Sequence, residues 1–243
     1  MLRRKKTYIK KSFTLIELLV SLAVFSILLL IMLQFFSGAQ RIWVGSENRN
    51  NVTADARVAL QVIGDLLSKA YMTEATLDTQ KDVPFVIDNT PDKSKLYFIT
   101  DSLYLFNPSD TSNLYFVSIY RDDTKDELMI REAGGGSGIA YCFDGTQAIS
   151  VMCSTLDTVT AKTLIPNVLG FTVTAQSKSG SAVTCGYPYI VNIELRMLSA
   201  ENYKKWVDMG GKTSETALAK EFRESVELTF TKTVFLGEKK YDL

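Results

Sequence analysis

Residues 13–33 read FTLIELLVSLAVFSILLLIML, and they follow a leader, MLRRKKTYIKKS (1–12), with six basic residues and no acid. As a helix rising 1.5 Å per residue, the 21 residues reach roughly 31 Å, the thickness of a bilayer's hydrocarbon core. No Pro or Gly interrupts them. Basic residues on the N-terminal flank favour a cytoplasmic leader, with everything after residue 33 on the far side. No second run of this length and apolarity follows, so the expectation is a single pass. An ordinary secretory signal has a shorter apolar core, usually 7–15 residues, that ends in small residues. Ser37-Gly38-Ala39 could serve such a signal as a late cleavage site.

The run holds one charge, Glu17. A carboxylate at the centre of a membrane helix costs roughly 2.5–3.5 kcal/mol on insertion scales. Two readings follow. Glu17 reaches back to the headgroup interface, or it meets a cation that another subunit supplies within the membrane.

The whole chain has 243 residues, 46% hydrophobic and 22% charged, which suits a globular protein and argues against a wholly disordered one. Lys+Arg and Asp+Glu both number 27. Taking away the six leader cations leaves 21 bases against 27 acids, so residues 13–243 sum to −6. An acidic body is unlike a nucleic-acid binder, whose footprint is a basic face, and no nucleic-acid partner is expected. There is no histidine. That excludes Ser-His-Asp and Cys-His nucleophile pairs, the H-E-x-x-H motif and every His-ligated metal. Three cysteines cannot make a four-cysteine zinc site. The expectation is a non-enzyme with no catalytic residues, no metal and no cofactor.

Helical signal continues past the membrane. Val52, Ala56, Ala59, Leu60, Ile63, Leu66, Leu67 and Ala70 recur at three- and four-residue spacing. They form one face of an amphipathic helix, with Asp55, Arg57, Gln61, Asp65 and Lys69 opposite. Between the two apolar parts lies SENRN (46–50), next to Gly45. The reading is one helix over 13–72 with a bend or frayed stretch between Gly38 and Asn51. The alternative is two helices joined by a loop at 45–51.

Short runs rich in Val, Ile, Tyr, Phe and Thr then alternate with polar turns at 83–88, 95–100, 113–121, 127–132, 139–143, 148–153, 170–177, 189–198 and 225–236. Asp144-Gly145 is a hairpin signal. Residues 199–223 read as helical, with Ser199 and Ser214 available as N-caps. The fold class is α+β: a long N-terminal helix, transmembrane and then amphipathic, packed on an antiparallel β-rich domain. Its parts are a leader 1–12, a membrane helix 13–36, its amphipathic continuation 37–72 and a globular domain 73–243.

Other motifs have bland readings. Gly211-Lys212-Thr213 mimics the end of a phosphate-binding loop, but Trp206 stands where the first glycine belongs. GGGSG (134–138) reads as a hairpin loop. RDDTKDE (121–127) bunches Asp122, Asp123, Asp126 and Glu127 without the spacing of a calcium loop, and reads as a solvated turn between strands. Cys142, Cys153 and Cys185 would face an oxidising compartment, allowing one disulfide and one odd thiol. A Cys142–Cys153 bridge needs a turn centred near Gln147-Ala148, whereas a tight Asp144-Gly145 turn would misalign the pair.

KKSFTLIELLVSLAVF resembles the N-terminus of type IV pilins and of the pseudopilins of type II secretion systems. In that family a prepilin peptidase removes a short basic leader just before a Phe, which becomes the N-methylated first residue. The resemblance implies cleavage between Ser12 and Phe13, methylation of Phe13, and an assembly carboxylate at Glu17, the fifth mature position. Thr14, Leu15 and Ile16 fit between them. One departure is Ser12, where the family normally has Gly. The resemblance also supplies a cation: the α-amine freed on Phe13 of a neighbouring subunit. It implies a pilin-like fold and four partners: the prepilin peptidase, other pilins or pseudopilins, an inner-membrane assembly platform and membrane lipid. It places the N-terminus in the cytoplasm and the globular domain in the periplasm. The large β-rich domain and the tail from GFTVTAQS to FRESVELTFTKTVFL look like J-type minor pseudopilins, which implies a structural subunit near a filament tip. Two other functions fit the same residues: a single-pass anchored periplasmic binding domain, and a minor pilin of a type IV pilus or DNA-uptake system.

Overall fold

The computed structural model describes residues 14–70, 85–88, 93–100, 115–134, 159–184, 188–212 and 214–237. The chain divides into two compact units, Met1–Glu47 and Asn48–Leu243.

Helix α1 runs unbroken over Leu15–Ser68, 54 residues. The expected fray between Gly38 and Asn51 is absent, and so is the alternative loop at 45–51. Ser, Asn, Glu and Arg each cost a helix well under ~1 kcal/mol, and propagation from strong helical flanks is cooperative. No proline lies in the segment to stop it. Thr53 turns its hydroxyl back to the Arg49 carbonyl at 2.8 Å. Every described residue of the first unit, 14–47, is exposed. This helix is long and apolar enough to cross a membrane.

In the second unit all eight residues of the expected amphipathic face, Val52 through Ala70, are buried. They pack with two antiparallel sheets in one core. The first sheet is a meander of β1 (Phe85–Asp88), β2 (Lys95–Thr100), β3 (Tyr115–Asp122), β4 (Glu127–Gly134) and β5 (Lys162–Pro166). The second holds β6 (Val168–Gln176), β7 (Ile190–Met197) and β8 (Leu228–Phe235) in that order. Strand β7 alternates strictly, burying Val191, Ile193, Leu195 and Met197, the period-2 pattern of a half-covered strand. The chain passes from one sheet to the other at Asn167, whose φ of 59° is the left-handed conformation that Asn tolerates. Ser94 ties the sheets together: its N–H donates to the Phe171 carbonyl at 2.9 Å, and its hydroxyl accepts from the Val173 N–H at 3.1 Å.

The sequence reading had no strand at 162–166. KTLIP is short and ends in proline, and it forms an edge strand, where proline is tolerated. The expected runs at 139–143 and 148–153 lie outside the described residues.

The helical region 199–223 is two helices, α2 (Ala200–Asp208) and α3 (Ala217–Val226). Ser199 caps α2 as expected, accepting from the Asn202 N–H at 3.2 Å. Ser214 does not cap α3. Thr216, directly before the helix, accepts from the Ala219 N–H at 3.1 Å. The helices close a small second core of Leu169, Leu198, Trp206 and Ala219.

Candidate functional site

The singular chemical feature of the first unit is Glu17 in the first turn of α1. The opening N–H groups of a helix have no intrahelical acceptor. Here the Thr14 N–H donates to Glu17 Oε2, the Thr14 hydroxyl donates to the same oxygen, and the Glu17 N–H donates back to that hydroxyl. This is a reciprocal capping box. Two orphan donors are thus satisfied where hydrocarbon would charge several kcal/mol for each left bare. The negative carboxylate also sits at the positive end of the helix dipole, a contribution of roughly 0.3–1 kcal/mol at exposed sites. Sequence reasoning missed this third reading of Glu17. The signal was present as Thr14-Leu15-Ile16-Glu17, the T-x-x-E spacing directly before an apolar run.

The box satisfies hydrogen bonds but leaves a negative charge uncompensated. Glu17 shares a helix face with Val20, Ser21, Val24, Phe25 and Leu28. The Ser21 hydroxyl is committed to the Leu18 carbonyl at 2.9 Å. Among the described residues no basic side chain pairs with Glu17. Ser12 and Phe13, the residues of the expected cut, lie outside the described residues.

The acidic run 121–127 departs from expectation. Asp122 behaves as a turn residue: its Oδ1 accepts from the Thr124 N–H and hydroxyl at 2.8 and 2.6 Å. The Thr124 hydroxyl, ahead of the backbone bonds, holds its carboxyl below the ordinary aspartate range. Asp126 is only 2% exposed, with φ 56°. Its Oδ1 accepts from Arg121 Nη2 at 2.5 Å. Its Oδ2 accepts from the Tyr203 hydroxyl at 2.7 Å and lies 3.3 Å from Lys212 Nζ. The solvated-turn reading is therefore corrected for Asp126. A residue on helix α2, 77 positions away, buries it.

The same cluster disposes of the phosphate-loop mimic. Lys212 is engaged by Asp126 and Tyr203. Gly211 is required by the Trp206 ring, because a Cβ there would stand 2.2 Å from Cε2. Burial, and then the Asp126 carboxylate, push the Tyr203 hydroxyl above its ordinary value. The phenol is held protonated, the opposite of an activated nucleophile.

Glu215 takes a two-pronged contact from Arg223, Nε at 2.7 Å and Nη2 at 3.2 Å, and accepts from Trp206 Nε1 at 3.1 Å. The Arg223 bond is the main reason its carboxyl is held below the usual glutamate range. Among the described residues no group of three or more Asp, Glu, Cys or His is placed to hold a metal. Cys142, Cys153 and Cys185 lie outside the described residues, as do Gly135 to Gly138.

Residues 9–33 match the family model of the prokaryotic N-terminal methylation motif. No curated protein matches the chain.

Proposed function

We propose that this chain is a pilin-like structural subunit, a minor pseudopilin of a type II secretion-like system. It inserts with its N-terminus in the cytoplasm and its β-rich domain in the periplasm. Prepilin peptidase cuts between Ser12 and Phe13, and Phe13 is methylated. The subunit then joins a short pseudopilus by packing its N-terminal helix among those of other pseudopilins at an inner-membrane platform. The size of the globular part and the run of its closing strands favour a J-type position near the tip.

The observation that carries this reading is one carboxylate inside a membrane-length helix, in a methylation motif, with no cation from its own described residues. A buried charge is tolerable when paired and strongly unfavourable when one partner is removed. Glu17 against the Phe13 amine of the next subunit meets that need and sets the axial register.

Replacing Glu17 by Gln tests the pairing. The variant should still insert and be cut, but should not enter the assembled filament. Normal incorporation of Glu17→Gln would overturn the pairing. A chain that stays active without assembling would favour an anchored binding domain.

A further inference from the structure

The apolar surface of α1 does not end with the membrane run. Phe35, Phe36, Ile42 and Trp43 are 79%, 62%, 76% and 74% exposed. At 3.6 residues per turn these four, with Ala39, fall within an arc of roughly 120°, while Ser37, Gln40 and Arg41 lie outside it. We propose that Trp43, with Ile42 and Arg41, anchors the unassembled subunit in the headgroup layer of the outer leaflet. This rests on the reading of 13–36 as the membrane helix, with its first turn through Glu17 at the cytoplasmic edge.

The argument is one of depth. Glu17 resists hydrocarbon, so the apolar core begins just beyond it, with its carboxylate at the inner boundary. Glu17 and Trp43 are 26 residues apart in one unbroken helix. That is roughly 39 Å, against the ~30 Å hydrocarbon core plus one headgroup layer of roughly 5–8 Å. Twenty residues past Glu17 bring the outer hydrocarbon boundary to about residue 37. Trp43 is then roughly 9 Å farther along, and its long side chain leans back toward the N-terminus, over the preceding turn. Its ring therefore falls in the headgroup layer, where tryptophan's amphipathic ring is favoured. Arg41 stands on the opposite face of the helix, about 3 Å deeper along the axis, to meet lipid phosphate. The lipid is the chosen occupant because the stripe is continuous with the apolar span. Sliding outward drags Glu17 into hydrocarbon and lifts Trp43 into water, and sliding inward pulls Arg41 and the polar edge of the Trp43 ring toward hydrocarbon, so the residues at the two ends fix the height at which the subunit waits.

The chain has two tryptophans, Trp43 and Trp206. The test reconstitutes the full chain and its Trp43→Phe variant in phosphatidylethanolamine–phosphatidylglycerol vesicles. The difference between their emission spectra isolates Trp43 and leaves the buried Trp206 untouched. The expected signal is blue-shifted and quenched at least ~2-fold more by lipids brominated near the headgroup than by aqueous acrylamide. It should not change with protein-to-lipid ratio. Quenching mainly by acrylamide, in a chain that resists carbonate extraction, would overturn the anchor and leave the membrane span intact. Shielding that grows with protein density would overturn it in favour of a second copy. Extraction of the chain by carbonate would remove the span itself, and the anchor with it.

Discussion

Thr14 donates two hydrogen bonds to a single oxygen of Glu17, from its N–H to Oε2 at 3.0 Å and from its hydroxyl at 3.1 Å. Both land on Oε2, and Oε1 is the oxygen that the proposed pairing would give to a neighbour's ammonium. The first turn is pinned before any neighbour arrives, and the carboxylate is held at the end of the helix from which a processed subunit would be met. Thr14→Val should remove the acceptor that takes the Glu17 N–H at 3.4 Å. The loss is about 1 kcal/mol of cap stability, or on the order of fivefold faster amide exchange at Glu17 in micelles. Thr14→Ser should restore protection. Equal exchange in all three chains would mean the box contributes nothing.

Asp126 should be the costliest acid to remove from the globular unit. Asp126→Ala takes from Arg121, only 10% exposed, its buried partner and leaves it the half-exposed Asp123, 2.8 Å away. That should cost at most roughly 3–5 kcal/mol in thermal unfolding of the full chain. Lys212 is 38% exposed, and Lys212→Met should cost under ~1 kcal/mol. Similar losses from the two substitutions would show that the Arg121 pair is not the main contact.

Two glycines should answer alanine in opposite ways. At Gly64 of α1, a Cβ meets only the end of the Lys232 side chain, 2.5 Å from Cε. That side chain can swing aside, and a helical Gly→Ala gains roughly 0.5–1 kcal/mol. At Gly211 the obstacle is the Trp206 ring, only 6% exposed and fixed in the small core. Gly211→Ala should cost roughly 1–3 kcal/mol by overpacking. The melting temperatures of the two variants should lie on opposite sides of the parent's.

Acid should loosen helices α2 and α3 through Glu215. Its carboxyl, held down chiefly by the Arg223 hydrogen bond, sits below the ordinary value of 4.5. The unfolded chain therefore binds that proton more readily. The stabilisation is complete above about pH 4.5 and is lost as pH falls through the lower folded value. Trp206 donates to Glu215, so its fluorescence should report the change. Glu215→Gln should flatten that part of the acid profile, and an unchanged profile would assign it to other carboxylates.

What could be read in advance was whatever the chain writes locally. The long helix was legible because no proline breaks it and the Val52 to Ala70 spacing is strictly helical. The described strands β2, β3, β4, β6 and β7 were legible from β-branched and aromatic runs, whereas KTLIP was too short to carry a period. The cap of α3 was misread because Ser214 and Thr216 offer the same chemistry, and backbone conformation decides between them. The Asp126 cluster was hidden for a different reason: Tyr203 reaches it only through tertiary folding. The Thr14–Glu17 box is local and legible in the T-x-x-E spacing, with the same carboxylate serving as cap acceptor and as the one charge of the apolar run.

The pairing of Glu17 with a neighbour's amine requires that the amine exist. Mass spectrometry of the chain extracted from membranes with active prepilin peptidase should find a protein beginning at Phe13, methylated on its α-nitrogen. A chain that still begins at Met1 in those membranes would contradict the proposal.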